Sequence, residues 1–278
     1  MLKLLIIGAC GNMGKNHLRV ARKYLRTTEH ELMTCDSNVK DTAPDFKDYK
    51  VAIAGFEPTH VVIAAPTQLH EEMLDYCVKK KVKNVLVEKP IIEKGNTNKY
   101  TGLKYTKIMV GHTERFNPMV GKLIQLLNGR KVDTVICTRA GLLNDKNRTD
   151  LNTDLCIHDS DVCQLITREN IDGDCRYEHL SADIKAGSCN LTVKINGATC
   201  FLHADERSPF KLREIKVMGP GYIIVGDYMN QSIIENGNVI SITKSEPLLS
   251  EYDTFLTSKF TESDLKEAIQ NLRIVSNE

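Results

Sequence analysis

Apolar residues occur first in unbroken runs and later in alternation, and the change falls near residue 113. Residues 3–8 (KLLIIG), 60–65 (HVVIAA) and 85–89 (VLVEK) read as strands buried on both faces, because a continuous β-rich run leaves no polar side for water. Shorter runs at 31–35 and 107–111 add two more strands, and amphipathic stretches to about residue 26 and from 70 to 81 read as helices. Strands alternating with helices in units of this size specify a parallel, doubly wound sheet. Residues 37–50 and 91–106 hold turn formers and lysines where crossover helices are expected, which predicts a trimmed version of that fold. Beyond residue 113 the spacing predicts a helix over 117–127, a strand over 132–140 and a helix over 155–167. Leu191, Val193 and Ile195 then alternate before Asn196-Gly197, and residues 232–240 carry Asn236-Gly237. Each Asn-Gly pair predicts a tight hairpin, so the second sheet is largely antiparallel. The last stretch, 249–278, predicts one or two helices. The fold class expected is α/β over 1–113, followed by an α+β domain with an open-faced antiparallel sheet over 114–278. One helix can cover one face of that sheet, and the other face is expected to pack against a second subunit.

Composition narrows the function. The chain has 278 residues, 41% hydrophobic and 26% charged, which is enough for two cores. A formal net charge of +1 offers no footprint for nucleic acid or an anionic membrane. No segment approaches the roughly 18 apolar residues of a membrane span. The opening MLKLLIIGACG runs directly into a glycine turn rather than a signal-peptide core, and a cytoplasmic protein is expected. Nine cysteines, an odd number without a C-x-x-C pair, read as reduced, buried small hydrophobes, and no metal site is expected.

Three places carry candidate chemistry. After the first strand come Gly8, Ala9, Cys10, Gly11, Asn12, Met13 and Gly14, then a helix. Such a turn lets backbone amides approach a pyrophosphate, whose charge then sits on the helix N-terminus. Ala9 stands where the first glycine of G-x-G-x-x-G usually falls. Asp36 ends the second strand, where a carboxylate accepts hydrogen bonds from ribose hydroxyls and repels a 2′-phosphate, so NAD is favoured over NADP. Glu88-Lys89-Pro90 ends the strand over 85–89, and open α/β sheets bind ligands outside the carboxyl ends of their strands. Asp154, His158 and Asp161 share one face of the 155–167 helix region, where a carboxylate can orient an imidazole; an N-cap aspartate and a core histidine are the bland alternative. Arg115 suits a phosphate or carboxylate, or pairs with a nearby acid; Asn117 suits hydroxyls, or caps the helix starting at Pro118.

Taken in order, GNMGKNH at 11–17, HVVIAAPTQLH at 60–70, VLVEKP at 85–90 and the D-x-x-x-H of Asp154 and His158 resemble the Gfo/Idh/MocA family of oxidoreductases. VGHTERFNPMV at 110–120, SPFKLREIKV at 208–217 and GDYMNQS at 226–232 resemble members that act on UDP-N-acetyl sugars, especially UDP-N-acetylglucosamine 3-dehydrogenases. The resemblance implies a Rossmann domain, NAD as cofactor, and oxidation of a sugar secondary hydroxyl. It implies cofactor contacts from the glycine turn, Asp36, Ala65, Pro66, Thr67, His70, Glu88 and Lys89. By the same resemblance Lys89 hydrogen-bonds the reacting hydroxyl, Asp154 orients, and either Lys89 or His158 takes the proton, with His158 favoured. Lys211 and Tyr228 join Arg115 and Asn117 as expected substrate contacts. An NAD-dependent glycosidase working through a keto intermediate, another sugar or polyol dehydrogenase of the family, and a non-catalytic sensor of NAD and a sugar nucleotide are the alternatives within this scaffold.

Overall fold

The computed structural model describes residues 1–25, 30–38, 43–93, 95–142, 150–168 and 175–276. It divides into two compact units: the first comprises Met1–Gly111 and Leu248–Lys266, the second the chain from His112 to Pro247 and the segment from Glu267 onward.

The first unit runs β1 (Leu2–Ile7), α1 (Asn12–Tyr24), β2 (His30–Cys35), α2 (Tyr49–Phe56), β3 (His60–Ile63), α3 (His70–Lys79), β4 (Asn84–Glu88) and β5 (Lys107–Gly111). The expected end of α1 near residue 26 lies outside the described residues. All five strands are parallel, in the order β2-β1-β3-β4-β5. Leu4, Leu5, Ile6, Val61, Val62, Ile63, Val85, Leu86 and Val87 are wholly buried, which is why these strands read as unbroken apolar runs. The order reverses at β1, so the connections leaving β1 and β3 run to opposite sides of the sheet, the switch point at which open α/β sheets bind ligands. Helix α2 starts at the end of the turn formers of residues 37–50 and is a short crossover helix that the sequence reading did not include. The Asp48 side chain starts it by accepting from the amides of Lys50 and Val51, and Ala52, Ile53 and Phe56 bury its inner side. With 8 residues it is too short for its period to stand out.

The second unit contains α4 (Pro118–Leu127), β6 (Thr134–Ala140), a π-helical turn (Asn152–Cys156) running into α5 (Ile157–Thr167), and β7 (Tyr177–Lys185), β8 (Ser188–Ile195), β9 (Ala198–Asp205), β10 (Leu212–Gly219), β11 (Tyr222–Asp227), β12 (Ser232–Glu235) and β13 (Asn238–Ile240). The eight strands follow the order β13-β12-β11-β10-β6-β9-β8-β7. Every neighbouring pair is antiparallel except β6 with β9. Inward residues Val135, Cys137, Val193, Cys200, Ile215 and Val217 are wholly buried, and α4 and α5 pack against this sheet. Asn196-Gly197 joins β8 to β9 and Asn236-Gly237 joins β12 to β13, with φ of 49° at Asn196 and 48° at Asn236, as the primed hairpin turns require. Seven of the nine cysteines are buried, so they serve the cores as small apolar groups.

Two helices follow, α6 (Pro247–Leu256) and α7 (Glu262–Ser276). The division differs here from the expected second domain over 114–278, since Leu248–Lys266 rejoins the first unit. Tyr252 and Phe255 of α6 are fully buried there, with Phe255 edge-on to His60 and the Tyr252 ring 5.6 Å from that of His17. Burying an aromatic ring of this size contributes about 2–3 kcal/mol, enough to fix where the segment docks. An apolar stripe records that a helix must be buried, but not in which core. Among the described residues no helix is long and apolar enough to cross a membrane.

Candidate active site

The glycine turn is shaped by close backbone approach. Gly8 adopts φ +80°, and a Cβ there would overlap the Ala64 carbonyl; a Cβ on Gly14 would overlap the carbonyl oxygen of Gly8. Helix α1 starts at Gly11 without a side-chain cap and has no acidic residue in its first turn. Its leading amides are thus left to a ligand, and the helix dipole favours an anion. Asn12 and Met13 are exposed on this turn, while Ala9 is buried and donates its amide to the Cys35 carbonyl at 3.3 Å. Asp36 lies beside the turn: Oδ2 accepts from the Cys10 amide at 2.8 Å and Oδ1 from the Asn38 amide at 2.8 Å. Each oxygen retains lone-pair capacity for a ribose hydroxyl. These residues fit the diphosphate and adenosine ribose of a dinucleotide.

At the ends of β3 and β4, Ala65, Pro66 and Thr67 form the rim where a short 3-10 turn leads into α3. His70 was expected at the cofactor, and the structure seals it inside. Its Nδ1 lies 2.9 Å from the Pro90 carbonyl oxygen and its Nε2 2.9 Å from that of Ala65. It therefore ties the turn after β4 to the end of β3. Burial pushes its imidazole below the usual value, partly offset by those carbonyls and by Glu88. Glu88 is likewise buried, with Oε1 2.8 Å from His17 Nε2. Lys89 follows it, half-buried, and the Lys89-Pro90 peptide is cis.

In the second unit, Asp154 lies in the π-helical turn and His158 in the first turn of α5, both half-buried. A π turn places side chains off the regular helical rows and recurs at functional sites. Asn152 clamps it by donating to the Val275 carbonyl at 2.6 Å, and Asn271 donates to the Ile157 carbonyl at 2.7 Å. Ser160 hydrogen-bonds Asn271 from the next turn. Asp161, which shares the expected face, is taken by Arg115: Nε and Nη2 reach its carboxylate at 2.6–3.0 Å, and Arg115 Nη1 lies 3.0 Å from Glu267. Asn117 caps α4 by accepting from the Met119 amide and donates to the Tyr228 carbonyl at 3.0 Å. The acid pair foreseen for Arg115 and the helix cap foreseen for Asn117 are both present.

Beneath these residues is an ionic cluster that sequence reading missed. Arg139, 2% exposed, places Nε 2.9 Å from Asp159 Oδ1 and Nη2 3.2 Å from Glu114 Oε1. Arg213 Nη1 stands 3.7 Å from Glu114. Burial pushes the Asp159 carboxyl up to about 6 against the pull of Arg139. Burial, then Arg139, press the Arg213 guanidinium down, while Glu114, Asp159 and Asp154 offset this. Tyr228 is buried with its ring 5.2 Å from the Arg139 guanidinium, and burial pushes its phenol up. Lys211 is exposed, directly before β10. Alternation along β6 marks Arg139 as inward-facing, the one signal that could have exposed the cluster. Nothing in the sequence names its partners. Among the described residues no group of three or more His, Cys, Asp or Glu side chains could hold a metal ion.

Residues 2–101 match the family model GFO_IDH_MocA, described as an oxidoreductase family with an NAD-binding Rossmann fold. No curated protein matches the chain. Among solved structures, it is similar to UDP-N-acetylglucosamine 3-dehydrogenase GnnA from Acidithiobacillus ferrooxidans, at 18% identity and a TM-score of 0.79 over 99% of this chain and 97% of that one. A dehydrogenase (MviM) from Clostridium difficile gives 16% and 0.75, over 99% and 98%. A dehydrogenase from Chromobacterium violaceum gives 17% and 0.73, over 100% and 94%. At these identities the likeness concerns the fold.

Proposed function

We propose that this chain, whose first domain is that of the Gfo/Idh/MocA oxidoreductase family, oxidises a secondary hydroxyl of a nucleotide sugar to a ketone with NAD. The observation that carries the reading is the uncapped N-terminus of α1 beside Asp36, at the same strand-end edge of a parallel sheet as Lys89. The glycine turn and the α1 amides bind the diphosphate, and Asp36 accepts from the ribose hydroxyls, which disfavours a 2′-phosphate. NAD bound there supplies a hydride acceptor. Lys89 donates a hydrogen bond to the reacting hydroxyl and stabilises the alkoxide charge that develops as the hydride leaves. His158 takes the hydroxyl proton, and Asp154, one helical turn away, orients its imidazole. The substrate we favour is UDP-N-acetylglucosamine or a related UDP-sugar, oxidised at C3. Supporting this choice are the segments at 110–120, 208–217 and 226–232 and the similarity in fold to an enzyme of that name.

The protein is further proposed to form a homo-oligomer, a dimer or tetramer, through the outer face of the second sheet. One cross-strand row of that face reads Thr192, Phe201, Ile136, Lys216, Val225, Ile234 and Val239. Phe201, Ile234 and Val239 are exposed in it at 42%, 41% and 77%. Apolar groups aligned this way on one face suit a second copy of the same sheet.

The test is NADH formation with a panel of UDP-sugars and a carbonyl trap. NADH with one sugar, lost about 10²- to 10⁴-fold in Lys89→Ala with NAD affinity kept, is the expected result. Wild-type turnover in that variant would sink the assignment of Lys89. Free sugar without NADH would point to a glycosidase, and NAD binding without turnover to a sensor.

A further inference from the structure

We infer that His17 and Tyr252 are positioning residues for Lys89, acting through the carboxylate of Glu88. The inference rests on the reading of Lys89 as the group that holds the reacting hydroxyl. Glu88 ends β4, where its Oε2 accepts from the Lys89 amide at 3.3 Å. Its Oε1 is 2.8 Å from His17 Nε2, and His17 Nδ1 is 3.2 Å from the Tyr252 hydroxyl. His17 and Tyr252 are 0% exposed and Glu88 is 7% exposed, so the chain Tyr252–His17–Glu88 runs through buried interior to the residue before Lys89.

Such a carboxylate is costly to bury unless it is paired, and the surroundings are arranged around its charge. A Cβ on Gly111 of β5 would stand 3.1 Å from Glu88 Oε1, so a glycine there leaves the carboxylate its space. His17 reaches it from α1, Lys89 from its own strand end, and His70 from α3; Tyr252 of α6 stands behind His17, with Glu251 beside it. Burial alone would push the Glu88 carboxyl up, but the hydrogen bond and charge of His17, with Lys89 and His70, hold it below the usual carboxylate value. The arrangement therefore ties the Lys89 backbone to α1, the helix that opens the nucleotide turn, and to α6, which returns from the far end of the chain. A ~1 Å misplacement of a reacting group costs on the order of 10²-fold in rate, so rigidity at this point has a kinetic consequence.

The test uses the full chain with His17→Gln, Tyr252→Phe and Glu88→Gln. For each, three quantities are measured: hydrogen exchange at the Lys89 amide, NAD affinity, and kcat and KM against pH with the active UDP-sugar. In His17→Gln the expected results are faster Lys89 exchange and a kcat lower by on the order of 10- to 100-fold, with KM and NAD affinity within about twofold. Without the imidazole, burial drives the Glu88 carboxyl up, so the acid limb of kcat moves to higher pH. Glu88→Gln, which has no carboxyl to titrate, removes that shift and leaves the acid limb to His158, the proposed proton acceptor. Tyr252→Phe keeps the ring and produces a smaller loss of the same kind, which covers the case of a His17 variant that fails to fold. Unchanged kcat, acid limb and Lys89 exchange in folded variants would overturn the inference. Should the wild type oxidise no nucleotide sugar, the functional reading fails, and Lys89 amide exchange still decides: no change in His17→Gln or Tyr252→Phe overturns the positioning role.

Discussion

In the first unit, buried His60 meets Thr59 Oγ1 at 2.9 Å with Nδ1 and Asn84 Nδ2 at 2.9 Å with Nε2, partners that lie beside it in sequence or directly across β3 and β4. In the second, Arg139, Asp159, Glu114 and Arg213 come from four separate segments and neutralise one another in the interior. Strand register and the adjacent residue supply both partners of His60, and burial favours its neutral form. The second unit depends on opposite charges arriving together, since any one of them left alone is a buried, unpaired ion. The nucleotide half thus buries the carboxylate of Glu88 against His17, while the half carrying Asp154 and His158 buries a cluster of four charged groups.

The largest expected effect comes from removing the centre of that balance. Arg139→Met leaves Asp159 and Glu114 short of a partner and should destabilise the second unit by about 3–5 kcal/mol. Urea unfolding followed by hydrogen exchange reads that unit separately. Arg139→Met with Asp159→Leu should recover much of the loss, and equal instability in both variants would break the contrast.

A smaller effect separates the units by the sign of their pH response. The Asp159 carboxyl rises from 3.8 to about 6, so its contribution is fully present below about pH 4 and is lost as pH rises through about 6. At about 1.4 kcal/mol per pH unit this amounts to roughly 3 kcal/mol. Burial, with the charge of Lys83, lowers the His60 imidazole from 6.5 to about 4, so its contribution is present above about 6.5 and is lost as pH falls through about 4. Between pH 4 and 6.5, acidification should therefore favour the Asp159 side and oppose the His60 side. Unfolding free energies at pH 4.5 and 7 should show opposite changes in pH dependence for Asp159→Asn and His60→Gln. The same direction in both would contradict the assignment.

The mildest test concerns the outer sheet face. Phe201→Glu, at an exposed position, should leave monomer stability within about 0.5 kcal/mol of wild type yet dissociate the assembly in sedimentation. A monomeric wild type would show that the apolar row serves no second copy.

Much of this was legible in the chain. Unbroken runs gave the parallel strands because both of their faces are buried. The two Asn-Gly pairs located their hairpins, because few other residues tolerate the left-handed turn. Gly8 and Gly14 marked the nucleotide turn, because a Cβ at either position would overlap backbone. Apart from the Ala64 carbonyl that faces Gly8, these features are local, depending on one residue and its immediate neighbours.

The rest depends on contacts distant in sequence. Asp48 starting a helix of 8 residues leaves almost no periodic trace. The π turn under Asp154 is braced by Asn271 and the Val275 carbonyl, more than a hundred residues away. Periodicity shows that α6 is amphipathic and not that its Tyr252 stands behind His17. By itself, then, the sequence determined the fold class, the nucleotide turn and the placing of Lys89 at a strand end, since steric and hydrophobic rules act residue by residue. Only the tertiary structure decided which charges neutralise one another and what stands behind Glu88, because pairing energy depends on distances that the order of residues does not contain.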